Sequence, residues 1–466
     1  MKRIEITKDK SFYKGFFSVW SMLVLFNVIT LGVNLLDNVM VSAYSEAAMA
    51  GVSAVNQVQF LFQQLMLGAG DAVVVLGSQY WGQGRTKPIK RFAVGALGLG
   101  AVLALALFAV AAITPESVVS MFTSDPEIHA AGVEYLRVMK YSYLVFALTH
   151  LMLAILRSVE TVRIGFWVSV STLIVNGGLN YFLIEGHMGA PRLGVTGAAI
   201  ATLAARVVEL VIVLIYVLRI DKKLSWRVKD FFRCDNVLVR DYLRLVRSFL
   251  VTSLLFGGAV MLQSVILGHM DDNAIAANSI ASTLYQVIKV AIVGASSAAA
   301  VLIGKAIGAA KEDGRLDVIR SYTQTLQLMF VGIGVCTSSL LFFLRVPIVN
   351  LYAAISPDLS QATYEMALQF IHVLCVTGFG TAYQMPVATG IIRGGGDARF
   401  VLINDLVSIW GIVIPVSLLA AFVFKWPPVA VIACLNADQV FKCGAACIKV
   451  NRYRWMKKLT RPAKDA

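Results

Sequence analysis
The feature that most constrains this chain is the recurrence of apolar blocks near twenty residues long, twelve in all, joined by short polar connections. A helix needs about 20 residues to cross about 30 Å of hydrocarbon. The blocks fall near 16–40, 51–80, 92–114, 133–157, 163–185 and 194–219, and again near 241–268, 274–309, 321–344, 364–392, 399–424 and 428–448. With 58% hydrophobic and 15% charged residues, the chain carries more apolar surface than a water-exposed domain can hide. The expected fold class is therefore an all-α membrane protein of about twelve transmembrane helices. The basic start MKRIEITKDK followed by an apolar run resembles a secretory leader, and Val41-Ser42-Ala43 resembles its cleavage site. The run is too long for a leader and eleven more follow, so it is read as a retained first helix.

A net charge of +14 does not point to nucleic acid, because the cations sit in the short connections and at the termini. Arg85, Lys87, Lys90 and Arg91, then Arg157 and Arg163, Lys222 to Arg233, Lys311, Arg315 and Arg320, Arg393 and Arg399, and the carboxyl tail all fall on one side. The other side has acids such as Glu46, Asp125, Glu127, Asp271 and Asp272. The positive-inside rule then places both termini in the cytoplasm of a bacterial inner-membrane protein, with anionic lipid headgroups as partners of the basic loops. The six cysteines contain no CxxC pair and read as small hydrophobes rather than metal ligands.

The second half repeats the first. LLDNVMVSAYSEAAMAGVSAVNQV aligns without a gap on MLQSVILGHMDDNAIAANSIASTL, and VVLGSQYWGQGR on AVLIGKAIGAAK at the same offset. RSVETVR at Arg157 parallels RGGGDAR at Arg393. Six crossings per repeat is an even number, so the halves are expected as two six-helix bundles related by a parallel pseudo-twofold repeat. The expected division is an amino-terminal lobe at 1–220, a basic linker at 221–240 and a carboxyl-terminal lobe with a basic tail at 241–466.

These motifs together resemble the multidrug and toxic compound extrusion (MATE) family. The resemblance rests on Asp37 within NLLDNVMVS, LGSQYWGQGR, the linker at Arg157, NGGLNYFLI from Asn176, LGVTGAAIAT from Leu193 to Thr202, and RGGGDAR, all in the family's order and covering nearly the whole chain. It implies alternating access and export of bulky amphipathic, often cationic, compounds in exchange for sodium or protons, by a chain expected to act as a monomer. Departures are equally specific. The NorM-type branch has acids in its seventh and tenth helices where SFLVTSLLFGG and VTGFGTAYQMP have none, and the DinF-type branch has an aspartate where Asn180 stands. Coupling is therefore expected in the amino-terminal lobe.

A carboxylate within a span costs about 2.5–3.5 kcal/mol on insertion scales and is a functional candidate by default. Asp37 is the first such group, with Asn176 and Asn180, four residues apart on one helix face, and Thr202 as oxygen donors for a cation. Asp71 is a second titratable candidate, or else a buried partner for a helix end. Arg206 and Glu209, three apart, read as an intrahelical pair. Lys289, mid-span in STLYQVIKVAIVGAS, either repels cations, binds an anionic group of a substrate, or pairs structurally. Gln57, Gln63, Gln64, Gln263 and Gln286 with Tyr285, Tyr383 and Met385 are candidates to line a broad substrate cavity. Asp405 and Asp438 read as structural partners.

No strand precedes Gly394–Gly396 and no Gly-Lys-Ser/Thr follows, so no phosphate loop is present, and no cofactor beyond a coupling sodium ion or proton is expected. Two other classes compete. A lipid-linked saccharide flippase would be expected to have extra helices and a strongly basic cavity; a membrane-embedded acyl or glycosyl transferase would need an acid, His or Cys cluster at one face.

Overall fold
The computed structural model describes residues 6–270, 272–310, 316–355 and 360–462. Asp271, Lys311 and Arg315, used above to orient the chain, lie outside the described residues. Among the described residues the regular structure is entirely helical. Twelve spans follow in order: α1 Lys10–Tyr44, α2 Glu46–Gly82, α3 Thr86–Ile113, α4 Pro126–Met139 with Ser142–Ser158, α5 Arg163–Leu183, α6 Gly194–Ile220, α7 Asn236–Gly268, α8 Asn273–Ala309, α9 Asp317–Ala354, α10 Gln361–Ile392, α11 Ala398–Val423 and α12 Pro428–Asn451. Large apolar side chains such as Trp167, Ile174 and Phe343 are 62%, 68% and 74% exposed, which fits surfaces that face lipid tails.

Most spans run beyond their apolar blocks, since a helix continues to satisfy its own backbone past the hydrocarbon edge. The fourth departs from the uninterrupted 133–157 span expected. It starts earlier, where Asp125 accepts from the backbone amides of Glu127 and Ile128, and it bends by 55° between Met139 and Ser142. There the Ser142 hydroxyl donates to the Met139 carbonyl at 2.7 Å, satisfying an acceptor released by the break. Pro386 opens a wide π-turn at Pro386–Ile392 in α10, and a second at Leu406–Val413 precedes Pro415 in α11. The second accommodates the Pro415 ring, which lacks a donor and crowds the turn before it, whereas the first begins at Pro386 itself. Pro347, by contrast, lies inside α9, which continues through it.

The chain divides into two compact units. Among the described residues, the amino-terminal unit is built from Leu25–Leu250 with Arg461 and Pro462, the carboxyl-terminal unit from Val251–Thr460 with residues 6–24. Two helices are thus shared along their length: α1 passes from one unit to the other after Val24, and α7 after Leu250. The aligned repeat segments fall on corresponding elements: the first spans the ends of α1 and α7 and the beginnings of α2 and α8, and the second the ends of α2 and α8.

Within the amino-terminal unit, glycines set the closest helix approaches. A Cβ on Gly51 would lie 2.8 Å from the Ile128 carbonyl oxygen and 2.7 Å from the Gly132 nitrogen, so α2 and α4 touch backbone to backbone. A Cβ on Gly197 would lie 2.4 Å from the Leu183 carbonyl oxygen. That contact draws the start of α6 onto the end of α5 and sets Thr202 beside Asn176. The connection after α6 is fastened to α3 by Lys90–Asp230 at 2.9 Å and Arg91–Asp235 at 3.2 Å. Lys90 holds the Asp230 carboxyl below its ordinary pKa despite the opposing effect of desolvation.

In the carboxyl-terminal unit the tail folds back onto the connection after α10. Trp455 is fully buried, and a Cβ on Gly395 would come within 2.2 Å of its ring. Asp397, also buried, pairs with Lys449 at 2.8 Å and Lys457 at 2.9 Å. Desolvation pushes the Asp397 carboxyl up, but the two ammonium groups prevail and hold it below its ordinary value. In the amino-terminal unit Arg461 donates to both carboxylate oxygens of Asp241, and its backbone amide donates to the Tyr80 hydroxyl at 3.2 Å.

Candidate functional site
Asp37 lies in the second half of α1, within the amino-terminal unit, and the expected partners converge on it. Asn180 Nδ2 donates to Asp37 Oδ1 at 2.5 Å and to Asn176 Oδ1 at 3.3 Å, using its two hydrogens on two acceptors. Asn176 Nδ2 in turn donates to Thr202 Oγ1 at 3.3 Å. The two asparagines are each 1% exposed. The carbonyl oxygen of Asn180 is buried and accepts from no donor among the described residues. A buried amide oxygen in that condition suits a bare cation better than an apolar neighbour.

The cluster opens on a cavity of about 230 Å³ that lies wholly within this unit. Its wall includes Asn34, Asp37 and Asn38 from α1, and Asn56, Gln59 and Gln63 from α2, with Asn176, Thr202 and Arg206 opposite. Tyr135 from α4 also lines it. Arg206 and Glu209 form the intrahelical pair that their spacing suggests, with Arg206 Nη1 3.1 Å from both Glu209 carboxylate oxygens. Thr172 Oγ1 donates to Glu209 Oε1 at 2.5 Å. The pairing does more than its spacing implied, because it fixes a guanidinium in the same wall as Asp37.

The other candidates are distributed differently. Asp71 is in α2 away from this cavity and pairs with Arg157 at 3.2 Å. Gln57 is exposed and Gln64 half-buried, and neither lines the cavity, whereas Gln63 does. In the carboxyl-terminal unit Gln263 Nε2 donates to the Leu435 carbonyl at 3.3 Å, Tyr285 to Thr381 Oγ1 at 2.9 Å, and Tyr383 to Gln327 Oε1 at 2.9 Å. Gln286 is exposed, and Met385, half-buried, ends the regular part of α10 just before the π-turn. The Lys289 ammonium stands 5.4 Å from the centre of the Phe256 ring and has no carboxylate within 4 Å among the described residues.

Asp405 and Asp438 are indeed partnered. Between them sits Lys442, 2.8 Å from Asp405 and 2.9 Å from Asp438, with its side chain only 4% exposed. Gln439 Nε2 donates to Asp438, and Gln439 Oε1 accepts from both Thr381 and Gln384. A buried cation shared by two carboxylates and braced by amides is an ion cluster of the carboxyl-terminal unit, separate from Asp37.

Comparison with known proteins agrees with the architecture. The chain is 24% identical over 404 residues to the probable multidrug resistance protein NorM of Agrobacterium fabrum, covering 85% of this chain and 83% of that protein. It is likewise 24% identical over 435 residues to the protein of the same description from Thermotoga maritima, covering 93% and 90%. Its fold matches that of a MOP superfamily transporter from Pyrococcus furiosus with a TM-score of 0.85 at 16% identity, covering 98% of this chain and all of that one. The MatE family profile matches residues 23–182 and 249–419, which is most of the chain and includes both repeat halves. The chain therefore belongs to the MatE family of multi-pass membrane transporters.

Proposed function
We propose that this transporter exports small amphipathic, chiefly cationic organic compounds from a bacterial cell in exchange for sodium or protons, with Asp37 as the coupling group. The observation that carries the reading is the Asp37–Asn180–Asn176–Thr202 cluster, a carboxylate in the second half of α1 held by an amide beside a buried oxygen that accepts from no donor among the described residues. With Asp37 ionised, its carboxylate, the Asn180 carbonyl and the Thr202 hydroxyl supply hard oxygens to a cation. With Asp37 protonated or occupied, the charge that holds the α5 amide is neutralised, and α1 is released to repack as access alternates. Placement in the inner membrane with both termini cytoplasmic, and action as a monomer, belong to the same proposal.

The test is efflux of a cationic dye from reconstituted vesicles with sodium and proton gradients imposed separately. Dye movement should follow one of the two gradients. Movement indifferent to both would overturn the reading.

A further inference from the structure
The Asp37 cavity holds one feature that an ion-coupling site does not need. Arg206 uses Nη1 alone on Glu209, and among the described residues nothing accepts from its Nε or Nη2. Its guanidinium rests 5.0 Å from the centre of the Phe146 ring, and its side chain is 17% exposed where it meets the cavity. A guanidinium within a span is as costly as a carboxylate and is retained where it has something to bind. Glu209 offsets its charge, but the N–H groups that Glu209 does not take are donors that a metal ion cannot use, so they do not serve a site meant for positive charge alone.

The rest of the wall points the same way. Asn34 and Asn38 are one turn apart on α1, and Asn56, Gln59 and Gln63 share one face of α2, so the cavity is lined by amides that serve either charge sign. Gln59 Oε1 is buried and accepts from no donor among the described residues. At about 230 Å³ the space falls below the roughly 300–1,000 Å³ of sites for drug-sized ligands. It is nonetheless several times the roughly 30 Å³ that one water occupies in the liquid, more than a lone ion needs.

We propose that this cavity binds a small polar zwitterion, its ammonium on Asp37 and its carboxylate on Arg206, with Glu209 and Thr172 holding the guanidinium in place. The inference rests on the reading of Asp37 as the coupling group, because the substrate ammonium and the coupling ion then compete for one carboxylate and cannot occupy it together. That competition supplies exchange. The ligand class is an amino carboxylate whose two charges are separated by a short aliphatic chain.

The test is calorimetric binding to the full-length protein in lipid nanodiscs. The probes are the series from 3-aminopropanoate to 6-aminohexanoate, their methyl esters, and the corresponding carboxylates without the amine. At least one zwitterion should bind about tenfold or more tightly than both its ester and its amine-free analogue, as expected for one charge-assisted contact at each end. Arg206→Gln should remove the advantage over the ester, and Asp37→Asn the advantage over the amine-free carboxylate. Because Arg206→Gln leaves Glu209 without its cation, the Arg206→Gln, Glu209→Gln pair serves as the folded counterpart, with the same loss expected. Esters that bind as well as the zwitterions, a preference unaltered in the paired variant, or no binding across the series would overturn the proposal. Dye efflux by Asp37→Asn in vesicles separates the two ideas. Lost efflux without zwitterion preference sinks only the ligand class, whereas efflux undiminished in that variant sinks the coupling reading and the inference with it.

Discussion

Asp37→Asn changes one charged atom for a neutral one at nearly constant volume, so its effects on folding and on transport separate cleanly. An aspartate at the centre of a span costs about 2.5–3.5 kcal/mol on insertion scales, which is an upper bound for Asp37 in the second half of α1. Against that, the 2.5 Å bond from Asn180 becomes neutral, which reduces a contribution of about 1.5–3 kcal/mol to about 0.5–1.5 kcal/mol. The balance favours the variant by at most about 1–2 kcal/mol, so its melting temperature should match the wild type or exceed it by up to a few degrees. If Asp37 couples transport as proposed, the two readouts move oppositely, with gradient-driven dye efflux falling at least tenfold once its charge is gone. The assay pairs thermal unfolding of the purified protein with vesicle efflux, both normalised to monodisperse protein. A variant that melts well below the wild type would show that Asp37 is a structural anchor. One that still couples efflux to an ion gradient would remove it from the mechanism.

Lys442→Met should destabilise by up to about 3–5 kcal/mol, because it leaves the buried Asp438 and the half-buried Asp405 without their cation. Adding Asp405→Asn and Asp438→Asn should recover most of the lost melting temperature, and failure to do so would deny that the three act as one cluster. Gly395→Ala places a methyl group against the Trp455 ring, at a cost of about 1–3 kcal/mol; Trp455→Phe in the same chain should return part of it, as read by thermal melting. Asp397 has a pKa lowered by folding, so its pairs with Lys449 and Lys457 contribute stability above the ordinary carboxylate range and lose it as pH falls through the lowered value. Unfolding profiles should therefore weaken below about pH 4, and Asp397→Asn should show a shallower decline over that window; identical acid profiles would refute the assignment.

Much of the architecture was legible because bilayer thickness converts block length directly into spans. The bend in α4 was not, since Lys140 and Tyr141 are ordinary helix formers and the break reflects how α4 packs rather than a local signal. The Asp37 cluster was readable in part: an acid inside a span is conspicuous, and the four-residue spacing of Asn176 and Asn180 predicts a shared face. The α2 wall was harder. Asn56, Gln57, Gln59, Gln63 and Gln64 put amides on several sides of one helix, and composition alone does not fix its rotation. The structure turns Asn56, Gln59 and Gln63 inward and Gln57 outward. Lys442 did leave a signal, four residues after Asp438, but one turn of α12 does not reveal that Asp405 of α11 completes the cluster. The place of Arg206 in the wall of the Asp37 cavity was hidden for a related reason, because an i, i+3 pair explains both charges without reference to any other helix.

The tail contacts carry a consequence for the order of synthesis. Trp455, Lys457 and Arg461 leave the ribosome after every span has been made, yet Trp455 covers Gly395, Lys457 pairs with Asp397 and Arg461 clamps Asp241. Until they arrive, the turn after α10 lacks its indole cover, Asp397 has Lys449 but not Lys457, and Asp241 lacks its two-pronged contact from Arg461. Insertion and completion are therefore distinct events in the biogenesis of this protein. A chain stopped short of position 455 would hold all twelve helices in the bilayer and still present unfinished surfaces of the kind that membrane quality-control proteases engage.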